Sequence, residues 1–146
     1  MNIIGKIHHA SVSGEVMKLD ATFFPNPWNE EQWRSLDLSQ NILLEWRSGE
    51  KLLGFALLGA IPGDDLAHLY KILILPELQG SGEAQAFWKE IIEFLKARGL
   101  QRIYLEVEAS NGRAQKFYEK AGFRVLRKNK GYYSNGEDAL MMDYLL

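Results

Sequence analysis

The chain has 146 residues, a formal charge of -2 and 47% hydrophobic residues, which fits one domain burying about 70% of its unfolded surface. That balance supplies no basic field for nucleic acid and suits a neutral or cationic substrate better. Cysteine is absent, which excludes disulfides, thiolate metal sites and an acyl-cysteine intermediate.

The first ten residues, MNIIGKIHHA, lack the long apolar core of a signal peptide. Within them a first strand is expected in IIGKIHHA, followed by a helix over about Gly14 to Phe24. Pro25 and Pro27 break the chain before a short second helix. There Asn29 is the N-cap and Gln32 its capping-box partner, while Trp28 and Trp33 have the spacing of a hydrophobic staple. NILLEWR and KLLGFALLGA, on either side of SGE, predict an antiparallel hairpin. The longest apolar stretch, Leu52 to Ile61, falls far short of the roughly 20 residues of a membrane span. A soluble cytoplasmic protein with no membrane partner is therefore expected. The three histidines, His8, His9 and His68, have no metal-site spacing. Each is read as a satisfied surface or core residue, and no metal is expected.

Ala67 to Leu75 is the next strand, and its continuous apolar end predicts burial on both faces. A helix then carries Ala84, Phe87, Trp88, Ile91 and Leu95 on one side, and Gly99 suits its C-terminal stop. Arg102 to Ala109 is a strand, and Asn111 or Gly112 opens a helix that ends at Ala121. Phe123 to Arg127 and Ala139 to Leu145 are the closing strands. The order β-α-α-β-β-β-α-β-α-β-β contains one parallel βαβ unit among antiparallel hairpins. It predicts one domain over residues 1–146, α/β (α+β) in class, with a mixed sheet and helices on both faces.

Between the fourth strand and its helix lies QGSGEA, Gln79 to Ala84. A helix N-terminus offers free N–H groups and a positive dipole end to an anion, and Gly80 and Gly82 lack the Cβ atoms that would block close approach. Neither a Rossmann fingerprint nor a P-loop fits, because Gln85 stands where a third glycine is needed and Gly-Glu-Ala where Gly-Lys-Ser/Thr is needed. By residues alone, a structural turn and a phosphate cradle both remain open. Two further readings also stay open: Glu106 is a solvated acid or a base, and Tyr118 is a core aromatic or a proton donor.

Gln79-x-x-Gly82-x-Ala84 resembles the acyl-CoA pyrophosphate loop of the GCN5-related N-acetyltransferase (GNAT) superfamily. LEVEASNGRAQKFYEKAGF, Leu105 to Phe123, is similar to its second acetyl-CoA motif. The similarity is greatest to the ribosomal-protein-alanine N-acetyltransferase (RimI-type) branch. FFPNPWNEEQW and GYYSNGEDALMM are similar to two more segments of that branch. The resemblance is strong from about Tyr70 to Met142 and thin over the N-terminal third.

It implies acetyl-CoA as cofactor, held by Ile72, Leu73, Ile74, Gln79, Gly80, Ser81, Gly82, Glu83, Ala84, Asn111, Ala114, Phe117 and Tyr118. It implies Glu106 as general base and Tyr118 as general acid, with Trp28, Tyr132 and Tyr133 joining Glu106 at the acceptor. The implied reaction is direct acetyl transfer to a primary amine, such as the α-amino group of a ribosomal protein beginning with alanine. A small amine as acceptor, and a non-catalytic acyl-CoA-binding module, are the alternatives.

Two departures bear on the cofactor. Gly80 stands where relatives usually carry Arg or Gln, and Glu83 where they carry a neutral residue. Glu83 facing the pyrophosphate at 4 Å would cost on the order of 1 kcal/mol in water. On that reading Glu83→Gln tightens acetyl-CoA binding.

Overall fold

In a computed structural model, which describes residues 3–146, the elements follow one another in the expected order. They are β1 (Lys6–Ala10), α1 (Gly14–Phe23), α2 (Glu30–Arg34), β2 (Asn41–Ser48), β3 (Lys51–Gly59) and β4 (Leu66–Ile74). After a short 3-10 turn at Pro76–Leu78 come α3 (Glu83–Ala97), β5 (Arg102–Glu108), α4 (Gly112–Ala121), β6 (Arg124–Asn129) and β7 (Ala139–Leu145). One seven-stranded sheet runs in the order β1-β2-β3-β4-β5-β7-β6. Only β4 and β5 are parallel. The fold class is as expected; the insertion of β7 between β5 and β6 was not visible in the pattern.

Local signals act where they were read. Asn29 accepts from the N–H of Gln32 at 2.8 Å, and Gln32 accepts from the N–H of Asn29 at 2.8 Å, closing the capping box. The Trp28 and Trp33 rings lie 4.9 Å apart as a staple.

The sheet carries a hydrophobic layer on each face. Phe87, Ile91 and Leu95 of α3 are fully buried against Ala67, Leu69, Ile103 and Leu105. On the other face Val16 and Trp33 pack on Leu43, Phe55 and Leu57. An irregularity in β4 governs which residues go where. Leu57 faces Lys71 and Leu58 faces Leu69, so Tyr70 is an extra, bulged residue, which shifts the side-chain alternation. Ile72 and Ile74 consequently join the α3 face, while Lys71 and Leu73 turn toward α1 and α2.

Lys71 is thereby buried, and it donates to Asp20 Oδ1 at 2.6 Å. Asp20, with no exposed surface, also accepts from the N–H of Trp28 and the indole N–H of Trp33, each at 2.8 Å. The Lys71 ammonium lies 4.9 Å from the Phe24 ring centroid and 5.2 Å from that of Trp28, within cation–π range. A single ion pair thus fastens the α1–α2 corner to the middle of the sheet.

β4 and β5 pair at three positions only: Leu66–Arg102, Ala67–Ile103 and His68–Tyr104. Beyond His68 the strands part. The apolar end of β4, expected to be buried on both faces, is corrected on this point: Ile74 is buried but Ile72 and Leu73 are half-buried. No β5 partner covers them there.

Candidate active site

The parting of β4 and β5 creates a cleft of about 430 Å³ on the α3–α4 side. Of the residues predicted to hold a cofactor, Ile72, Leu73 and Ile74 form one wall. Gln79, Gly80 and Ala84 come from the loop and the start of α3, and Asn111, Ala114, Phe117 and Tyr118 come from α4. The backbone of β4 faces this space with free donors. Leu75 N–H donates to Leu53 O at 2.9 Å, so the antiparallel alternation turns the N–H groups of Leu73 and Lys71 toward β3 and those of Ile72 and Ile74 toward the gap.

Gly80 and Gly82 have φ of 83° and 89°, a left-handed backbone that disfavours side chains. A Cβ at Gly80 would meet no protein atom within 4 Å. Its glycine therefore answers to backbone conformation and to what enters the cleft, not to internal crowding. Asn111 Oδ1 caps α4 by accepting from the N–H of Ala114 at 3.1 Å. Ser81 turns away from the cleft, its hydroxyl donating to Leu78 O.

Glu83 overturns the electrostatic expectation. Its carboxylate is 2% exposed and points into the protein. It accepts from the N–H groups of Ile4 and Gly5 at 3.1 and 2.9 Å and from the Trp46 indole at 3.1 Å. The chain before β1 is tied to α3 through this group, so its charge does not face the cleft. Glu83→Gln keeps one oxygen as acceptor but sets its N–H₂ against at least one of the three donors and is expected to cost roughly 1–3 kcal/mol of stability. The affinity for acetyl-CoA should stay within about twofold; a tenfold tightening in calorimetry would restore the discarded reading.

Two cleft residues escaped the sequence reading, Gln85 and Arg113. Arg113 Nη2 donates to Gln79 Oε1 at 2.7 Å, a neutral partner that leaves the guanidinium charge unspent. The positive charge missing at Gly80 is therefore supplied from the first turn of α4. Arg113→Ala is expected to weaken acetyl-CoA binding about tenfold, roughly 1.4 kcal/mol. An unchanged Kd in calorimetry would remove Arg113 from the cofactor site.

On the opposite face of β5, alternation places Tyr104 and Glu106 together, as expected. Glu106 Oε2 lies 2.6 Å from His68 Nε2, and the Tyr132 hydroxyl donates to Oε1 at 3.2 Å. Burial pushes the carboxyl of Glu106 upward, but the bonds from His68 and Tyr132 hold it below the usual carboxylate range. His68, read from sequence as a satisfied surface or core histidine, is bonded directly to the predicted base. The signal available for it was its place in β4, at the last position paired with β5. Its ring stacks 4.5 Å from Tyr70 and meets Tyr104 edge-on at 5.2 Å.

Tyr133 packs against Tyr132 with ring centroids 5.0 Å apart, and burial and the nearby Glu106 charge push its hydroxyl up to about 12. Trp28 sits at the α1–α2 corner beside Lys71, on the sheet face that also carries Glu106. Tyr118 lines the cleft with its hydroxyl pushed up to about 12 by burial. Among the described residues no cluster of His, Cys, Asp or Glu is arranged for a metal ion, and no helix is long and apolar enough to cross a membrane.

The model of the acetyltransferase (GNAT) family matches residues 14–123. The ribosomal protein bS18-alanine N-acetyltransferase of Escherichia coli is 30% identical over 119 residues, covering 80% of this chain and 79% of that protein. Its Haemophilus influenzae counterpart is 33% identical over 120 residues, covering 80% of each. The crystal structure of the E. coli ribosomal-protein-S18-alanine N-acetyltransferase superposes with a TM-score of 0.79 at 26% identity, covering 96% of this chain and 94% of that one. Arabidopsis thaliana NAA60 bound to acetyl-CoA shares the fold, with a TM-score of 0.77 at 16% identity over 97% of this chain and all of that one. With a divided sheet, a glycine loop at the head of α3 and a matching family model, the chain belongs to the GNAT family of acetyltransferases.

Proposed function

We propose that this acetyltransferase moves the acetyl group of acetyl-CoA directly to the α-amino group of a protein N-terminus, with a ribosomal protein beginning with alanine as the acceptor. The observation that carries this reading is the parting of β4 and β5. It leaves the sheet unpaired between the cleft on one face and Glu106 on the other. The cofactor supplies an activated thioester. The residues of this chain bind it, orient it and move protons around it.

An α-amino group has a pKa near 8, so most of it arrives as ammonium at pH 7. The carboxylate of Glu106, with the groups bonded to it, draws in that cation and assists its deprotonation. As the amine attacks, the N–H groups of Ile72 and Ile74 are free to receive the developing oxyanion. The departing thiolate has a conjugate acid near 8.5. With the Tyr118 phenol at about 12, full proton transfer is uphill by about 3.5 units, roughly 5 kcal/mol, against about 2 for an ordinary phenol. Tyr118 thus acts as a hydrogen-bond donor to the sulfur as charge develops.

The aromatic pair Tyr132–Tyr133 beside Glu106 suits an extended peptide backbone lying across the sheet. Relatives of 30% and 33% identity that carry the bS18-alanine N-acetyltransferase name support the same acceptor. Incubation with acetyl-CoA and a peptide of ribosomal protein sequence beginning with alanine, followed by mass spectrometry, tests it. One added acetyl group on the N-terminus is expected. Turnover of small amines with none on peptide would replace the acceptor, and binding of coenzyme A without transfer to any amine would leave a non-catalytic module.

A further inference from the structure

We infer that His68 is the group that receives the amine proton, with Glu106 orienting the imidazole and stabilising the imidazolium that forms. The inference rests on the acetyl-transfer reading above and divides its base into two parts. A carboxylate whose two oxygens already accept from His68 and Tyr132 is a poor destination for the proton of an amine. An imidazole with an unengaged ring nitrogen is the better-placed acceptor.

The geometry fits the same division. Against an ionised carboxylate, which accepts only, Nε2 is the donor in the short 2.6 Å contact. The lone pair then resides on Nδ1, to which the structure gives no partner among the described residues. The His68 side chain is 28% exposed, against 16% for Glu106, so Nδ1 is open to the acceptor or to a water between them. Both oxygens of Glu106 are already engaged, by His68 and by Tyr132.

The ionisable groups around the imidazole are Tyr70 on its own strand, Tyr104 and Glu106 on β5, Tyr132 before β7 and Asp64 on the β3–β4 turn. These are phenols and carboxylates, an environment that tolerates an imidazolium; two cations, Arg102 and Arg127, also act on Tyr104. The step balances. The ammonium gives one proton, directly or through one water, to Nδ1. The neutral amine forms its bond to the thioester carbon. The tetrahedral intermediate loses its second N–H proton to solvent as the C–S bond breaks, and the thiolate leaves with that electron pair. The imidazolium later releases the first proton to solvent.

His68→Gln tests this, because its amide N–H₂ still donates to Glu106 while the titratable nitrogen is gone. The variant must await an amine that arrives unprotonated. Its kcat/KM at pH 7 is expected to fall about a hundredfold, chiefly in kcat. The neutral fraction of the amine rises about tenfold between pH 7 and 9, so the deficit should shrink by up to about tenfold over that range. A deficit equal at pH 7 and 9, or none, would overturn the inference, since a merely structural role has no such pH dependence.

Imidazole ¹⁵N correlation spectra of the wild type, with His68 assigned by its loss in the variant or by selective labelling, give a readout independent of turnover. The Nε2–H tautomer is expected, and the Nδ1–H tautomer would overturn the proposal even if no amine were acetylated. Failure of the wild type to acetylate any amine would instead defeat the functional reading. The tautomer would still report on the pair.

Discussion

Replacing Glu106 by glutamine is expected to lower kcat/KM for acetyl transfer by about a hundredfold to ten-thousandfold, with Kd for acetyl-CoA within about twofold of wild type. The large effect follows from what the carboxylate does in this site. It carries the negative charge that meets an incoming ammonium, and it holds the His68 imidazole at 2.6 Å. Glutamine keeps the volume and an oxygen that can still accept from Nε2, but removes the charge that draws the ammonium and stabilises the imidazolium. The cofactor cleft lies across the sheet, lined by α3, α4 and the end of β4, which is why cofactor affinity should not follow.

The pH dependence of stability supplies a second readout. The folded carboxyl of Glu106 titrates below its usual range. Its stabilising contribution is therefore present above the ordinary carboxylate pKa and lost as pH falls through the folded value. Glu106→Gln should erase that acid-side dependence. Turnover within threefold of wild type would remove Glu106 from the chemistry.

Asp20→Ala carries the largest expected effect on stability, about 3–5 kcal/mol. Removing the carboxylate strands the Lys71 ammonium in a buried site and leaves the Trp28 N–H and the Trp33 indole without their acceptor. For a domain of this size that loss corresponds to a drop in Tm of roughly 10 °C. Adding Lys71→Met should recover most of it, because removing both charges is far cheaper than removing one. Calorimetric melts of the single and double variants decide the matter. Equal melting of Asp20→Ala and wild type would mean that the pair does not fasten the α1–α2 corner.

Most of the framework was legible because local signals and burial agree along the chain. The capping box at Asn29, the apolar stripe of α3 and the alternation around Glu106 each rest on neighbours within a few residues. Gln79, Gly80 and Ala84 line one cleft with residues of the Asn111–Tyr118 segment, a pairing suggested by the resemblance rather than by local pattern. What escaped reading depends on contacts distant in sequence. His68 and Glu106 are 38 residues apart and Lys71 and Asp20 are 51 apart. The bulge at Tyr70 that turns Lys71 inward has no signature in residue type.

Glu83 shows the same limit in another form. Its place at the head of α3 was correct, but its side chain turns to the chain before β1, 78 residues away at Gly5. No helical or strand period reports such a turn. Arg113 carries no motif of its own, and its bond to Gln79 joins residues 34 apart in the chain.

Direct acetylation of a protein N-terminus is the central claim, and intact mass spectrometry tests it most directly. Purified protein would be incubated with acetyl-CoA and an equimolar mixture of two peptides. Both have the same ribosomal protein sequence beginning with alanine, one with a free and one with a blocked α-amino group, and both contain an internal lysine. One acetyl group on the free N-terminus, with none on the blocked peptide, is the predicted result. Acetylation of both peptides at lysine, or of neither while a small amine is turned over, would contradict it.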